Sequence, residues 1–186
     1  MENTMGFFDF FKNLFGGNKK PSIDAEDLIV DITETVITIN GKDVDVPCHL
    51  ERLTEMFGKP RRSASKSGNV IFTWDSIGIF CYTKGNNVIN CIAVKVKEND
   101  DMKLPFDPKK LFKGTLTICG KDWEQTMFEG EDNDGFFRKR EIGTLSIVAE
   151  YADFETGDSE GCKGAYSGVE VSIPMSLNDI KKLVED

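Results

Sequence analysis

The chain has 186 residues, 39% of them hydrophobic and 30% charged, with a formal charge of −9 from 32 acids and 23 bases. Such a length supports one domain, or two small ones, around a core that needs no metal or disulfide. The composition excludes a disordered chain, the absence of an apolar run near ~20 residues excludes a spanning helix, and a single histidine, His49, excludes a multi-histidine metal site.

The charge is uneven. Ten acids face three bases between Glu129 and Glu160, so this segment carries −7 of the −9. An acidic face repels phosphate backbones, which argues against nucleic acid, and attracts a basic protein surface. Glu129, Glu131, Asp132, Asp134, Asp153, Glu155 and Asp158 are therefore the candidate partner-binding residues; a plain solubilising surface is the competing account. The cysteines, Cys48, Cys81, Cys91, Cys119 and Cys162, are odd in number and form no C-x-x-C pair. That usage fits free thiols in a reducing cytoplasm.

Residues 1–20 form a segment of their own. Phe7, Phe10, Phe11, Leu14 and Phe15 repeat at the spacing of one helical face, which Phe8 widens. Gly16-Gly17 ends the pattern and Lys19-Lys20-Pro21 follows as a linker. Ten helical residues reach only ~15 Å, too short to cross a bilayer. The helix has three destinations: its own domain, the interface of the inner membrane, or a partner's groove.

Residues 21–186 read as a single α+β domain of antiparallel sheet with a few short helices. Leu28–Ile32 and Val36–Ile39 are strand-like, and Asn40-Gly41 is a hairpin turn leading into Lys42–Val46. Pro47 suits a first helical position. Leu50, Leu53 and Met56/Phe57 mark a helix that Gly58 and Pro60 end, and Arg61–Gly68 reads as a basic loop. Asn69–Trp74, Ile77–Thr83 and Val88–Lys97 are strands. A two-residue turn at Gly85-Asn86 would pair Tyr82 with Ile89 and Phe80 with Cys91, one face becoming solvated toward Lys95 and Lys97.

Glu98–Lys110 is a polar connector between weak halves at 27–97 and 112–174. Leu116–Asp122 echoes Ile37–Asp43, but no counterpart to the first helix is apparent in the second half. Thr144–Tyr151 and Val169–Ile173 supply further strands, and the capping pattern at Ser176 starts a last helix at 176–185.

Motifs for chemistry are missing. The chain has no phosphate-binding glycine loop, no nucleophile elbow and no H-E-x-x-H. Adjacent Cys48 and His49 would diverge on a helix, which argues against a dyad. Gly130–Gly135 has Asp132 and Asp134 at EF-hand spacing, but Gly130 stands where the first ligand is needed, so a flexible acidic loop is the better reading. Trp74, Tyr82, Trp123 and Tyr166 could line a groove, although strand aromatics usually fill cores. No catalytic residue, cofactor or metal site is assigned, and no spacing singles out two carboxylates for a hydrolase.

Leu53–Pro60, Phe72–Tyr82, Val88–Ile92 and Phe112–Lys121 together resemble an uncharacterised bacterial family with a G-x-P … T-W-D-x-[LI]-G-[LI] … Y core. More distantly, the order helix, G-x-P, three strands is similar to the repeats of β-lactamase inhibitor protein. The resemblance implies a non-enzymatic binding module, some members being immunity proteins of toxin systems, and a structural role for Gly58, Pro60, Trp74 and Gly78. The expected function is thus a cytoplasmic protein-binding module, in its sharpest form a toxin-neutralising immunity protein acting by occlusion. A peripheral membrane or scaffold protein, held by Phe7–Phe15, is the alternative. Either way the domain is expected to be a rigid platform with no pocket built for bond-making.

Overall fold

The computed structural model describes residues 25–64, 69–83, 87–98, 104–133, 137–152 and 166–172. The helices expected at 7–15 and 176–185 lie outside them. After a 3-10 turn at Ala25–Asp27 come β1 (Ile29–Ile32), β2 (Ile37–Ile39), β3 (Lys42–Val44), β4 (Cys48–His49) and α1 (Leu50–Phe57). A meander follows: β5 (Arg61–Ala64), β6 (Val70–Trp74), β7 (Ile79–Thr83) and β8 (Val88–Lys95). The second half runs β9 (Thr115–Ile118), β10 (Lys121–Asp122), α2 (Trp123–Phe128), β11 (Glu131–Asn133), β12 (Phe137–Ile142), β13 (Leu145–Tyr151) and β14 (Tyr166–Ser172). The fold is α+β, with mostly antiparallel sheet and short helices.

Both halves run hairpin, helix, four-strand meander. The hairpins β2–β3 and β9–β10 flank β1 in a five-stranded sheet ordered β10-β9-β1-β2-β3, where β1 runs parallel to β9 and antiparallel to β2. Their turns match: Asn40-Gly41 has φ of 50° and 72°, Cys119-Gly120 has 51° and 71°. Positive φ at both central residues matches the twist of the flanking strands. The meanders join through their last strands, β8 beside β14, in a sheet ordered β11-β12-β13-β14-β8-β7-β6-β5, with β4 also on β8.

Alternation decides the core. Val30 and Ile32, Ile37 and Ile39, and Leu116 and Ile118 are buried on one face of the small sheet. They share one cluster with Phe72, Trp74, Ile79, Ile92, Val94, Val169, Val171, Ile147 and Ala149 from the inner face of the large sheet. Leu53 of α1 and Trp123 and Met127 of α2 are buried in the same cluster. Trp74 is fixed twice over, its indole N–H donating to Gly58 O at 2.8 Å and its ring meeting Phe57 edge-on at 5.5 Å.

Several expectations need correction. The second half does have its helix: α2 starts where Asp122 accepts the Gln125 N–H, a side-chain cap. Pro47 lies outside α1, after a cis bond to Val46, and His49 is the N-cap. The loop expected from Arg61 holds strand β5. The β7–β8 register departs from the expected one by one residue at Thr83, which faces Ile89, and by two at Tyr82, which faces Cys91, because Asn90 bulges out of the ladder between them. The stretch expected as a flexible acidic loop holds β11, whose Glu131 and Asp132 stand in register with Lys139 and Arg138 of β12, so Glu131–Asn133 is strand.

Candidate functional site

The outer face of the large sheet is not bare. Register across four strands aligns Phe137, Glu150, Gly168 and Lys95 in one row, and across five strands Lys139, Val148, Glu170, Ala93 and Phe80 in the next. Gly168 and Ala93 are small and stand in the middle of these rows. The floor is therefore hollow there, and a groove of about 350 Å³ opens between larger neighbours. Gly168 is required, because a Cβ on it would sit 2.4 Å from Val94 O.

One wall is aromatic. Phe80 and Tyr82 stand on β7, and Phe106 from the connector closes over them with ring centroids 6.0 and 6.1 Å away. Phe137 lies on the far side. The other feature is acid. Tyr82 donates its hydroxyl to Glu170 Oε1 at 2.9 Å, and Ser167 donates to Glu150 Oε2 at 3.1 Å. Among the described residues nothing donates to the second oxygen of either carboxylate. Burial, with the Glu150 charge adding to it, raises the Glu170 carboxyl above the usual range, against the pull of the Tyr82 hydrogen bond. The Tyr82 phenol is pushed up as well, first by burial and then by Glu170. Lys95, expected at a solvated end, is instead buried against Asp107 (Nζ to Oδ2 3.3 Å, side chains 7% and 6% exposed). That pair is self-neutralising, which leaves Glu150 and Glu170 as the unbalanced acids among the described residues of the groove.

The connector that carries Phe106 is tied down by the T-W-D stretch. Arg61 makes a two-bond fork to Asp75, both at 2.9 Å, and also donates to the carbonyls of Pro105 and Asp107. Thr73 donates to Phe106 O, and Lys109 N–H donates to Asp75 Oδ1. Gly78 (φ +73°) lets the chain pass, since a Cβ there would lie 2.0 Å from Phe112 N. Of the residues expected to be structural, Gly78 serves this close passage, while Trp74 is held in the core by Gly58 and Phe57. Arg61, Lys95, Asp107, Glu150 and Glu170 had no motif to announce them, and Asp75 stood in the T-W-D motif with no role given to it; only the charged residues interrupting β-branched runs hinted at the rest.

The residues singled out from sequence fall elsewhere. Glu129 caps α2, is exposed and pairs with Arg140 at 3.5 Å. Glu131 and Asp132 lie on edge strand β11. Asp134, Asp153, Glu155 and Asp158, and Phe7, Phe8, Phe10, Phe11, Leu14 and Phe15, lie outside the described residues. Trp74, Trp123 and Tyr166 are core; of the four aromatics only Tyr82 reaches the groove. Cys48 and His49 sit in β4, where successive side chains take opposite faces. Burial pushes the Cys48 thiol up to about 11, with Asp45 adding to the shift, so it stays protonated at neutral pH.

Residues 29–133 match a family described as a domain of unknown function, DUF7738. The chain belongs to this family. No curated protein and no solved structure matches it. The DUF7738 span holds the small sheet, the first meander, the Arg61–Asp75 anchor and the aromatic wall. The strands that bring Glu150 and Glu170 lie beyond it. No helix among the described residues is long and apolar enough to cross a membrane.

Proposed function

We propose that the chain is a non-enzymatic protein-binding module of the cytoplasm, acting as an immunity protein that occludes a basic toxin. One observation carries this reading: the outer face of the large sheet combines an aromatic wall with two uncompensated carboxylates, on a floor held rigid by continuous strand pairing. Aromatic anchors supply affinity at a desolvated centre, and complementary charge steers encounter. The described cysteines are free, as a reducing compartment requires.

Glu150 and Glu170 also favour a second reading, a hydrolase using a carboxylate pair. It is the weaker one. Both acids rise from neighbouring strands of one floor at diagonal register, with β-carbons about 7 Å apart, whereas an acid/base pair must flank the bond it cuts. Co-expression with the product of the adjacent reading frame tests the main reading. Growth rescue, together with a purified complex that Glu150→Lys and Glu170→Lys weaken, is the expected result. No rescue and no complex, or a complex indifferent to both changes, would overturn it.

A further inference from the structure

We propose that the outer-face groove is a binding site for one organic cation, the side chain of an arginine or lysine that the partner protein inserts beside Glu150 and Glu170. The choice of carrier rests on the protein-binding reading above; the cation site itself does not.

The groove's volume of about 350 Å³ lies at the small end of the ~300–1,000 Å³ typical of ligand sites. Its chemistry excludes most occupants. An anion would meet two carboxylates, because Lys95, the one lysine among the described residues of the groove, is already spent on Asp107. An apolar group would seal the second oxygen of Glu170 away from water with no donor, which costs more than the contact returns. Hard metal ions take six or more oxygens, and two carboxylates on adjacent strands fall short. A guanidinium or alkylammonium satisfies every feature at once. Its stem lies along apolar Phe80, Ala93 and Val148, and its head donates to the open oxygens of Glu150 and Glu170. Aromatic faces at Phe106 and Phe137 add cation–π attraction. Such a head would also offset the burial and the Glu150 charge that make Glu170 hard to ionise.

The test is an amide-resolved NMR titration with n-butylguanidinium, using neutral n-butylurea as its counterpart, on the full chain and on Glu150→Gln, Glu170→Gln and Glu51→Gln. The first two are isosteric, and the dispersion of their spectra shows whether they fold. Exposed Glu51 on α1 controls for net charge. The expected result is saturable shifts at Tyr82, Ala93, Gly168 and Glu170. These shifts should weaken at least tenfold in Glu170→Gln, persist in Glu51→Gln, and be absent with the urea. No saturable shift, equal binding of the urea, or an unchanged affinity in both groove variants would overturn the site. The probe needs no partner, so its failure removes the cation site and leaves the immunity reading to its own co-expression test.

Discussion

Tyr82 on β7 reaches past the small side chain of Ala93 on β8 to hydrogen-bond Glu170 on β14, so one side chain of the first meander is tied to an acid of the second. The bond crosses the seam where the two halves meet. Tyr82→Phe keeps the ring and removes the donor. It should cost about 1–3 kcal/mol, the range for a lost bond to a buried acid. Chemical denaturation at pH 7 measures it, and an unchanged midpoint would contradict the geometry.

Glu170 itself should oppose folding at neutral pH. Its folded-state value is raised, so its favourable contribution is fully present below the unfolded carboxylate range and is lost as pH rises through the folded value. Glu170→Gln should therefore raise Tm at pH 7 and change it little near pH 4. Asp75 works in the other direction. Its hydrogen bonds from Arg61 lower the folded value, so its contribution is present above about 3.8 and fades as pH falls through the folded value. Asp75→Asn should flatten the acid limb of the stability curve, as read by Tm against pH.

Arg61 holds the connector. Arg61→Ala leaves several carbonyls without their donor and should destabilise by about 2–3 kcal/mol. Limited proteolysis should cut between Leu104 and Phe112 in the variant and spare the parent. Lys95→Met strands Asp107 in a buried site, and a loss of about 3–5 kcal/mol is expected.

Two glycines with similar φ should respond very differently. Gly41 (φ +72°) faces open space, so Gly41→Ala should cost about 1 kcal/mol. Gly78→Ala drives a methyl into the Phe112 backbone and should cost about 3 kcal/mol or more. Equal effects in a denaturant titration would mean that the connector does not pass where it is placed.

Alkylation followed by mass spectrometry should separate the thiols. Cys119 is exposed at its turn. Cys81 is pushed up to about 12 and Cys91 is raised as well, in both cases chiefly by burial. Cys119 should label readily in the native protein, and Cys48, Cys81 and Cys91 only after unfolding.

Alternation and turn chemistry made β1 to β3, β6 to β8 and β13 legible, because Val, Ile and Phe in those strands mark the buried face directly. Several of the misses share one cause, which is charge placed where apolar residues were expected. In β12, Phe137–Ile142 reads FRKREI, yet Arg138 and Arg140 turn toward α2 and donate to the Phe128, Gly130 and Thr126 carbonyls. Strand β5 hid behind Arg61 in the same way. Lys95, Glu150 and Glu170 looked like the solvated face of their strands, because periodicity shows which residues share a side but not whether that side is hollow. The platform carries a groove on its outer face, formed by Ala93 and Gly168, whose smallness matters only once their neighbours are known.

The seam between β8 and β14 has a consequence for either half on its own. A fragment ending at β8, or one starting at β9, would bear an unsatisfied row of amides and carbonyls along its last strand. The missing neighbour runs antiparallel, so a second copy of the same fragment presents a chemically equivalent edge. Truncation of this chain should therefore yield twofold dimers that rebuild the large sheet from two identical meanders.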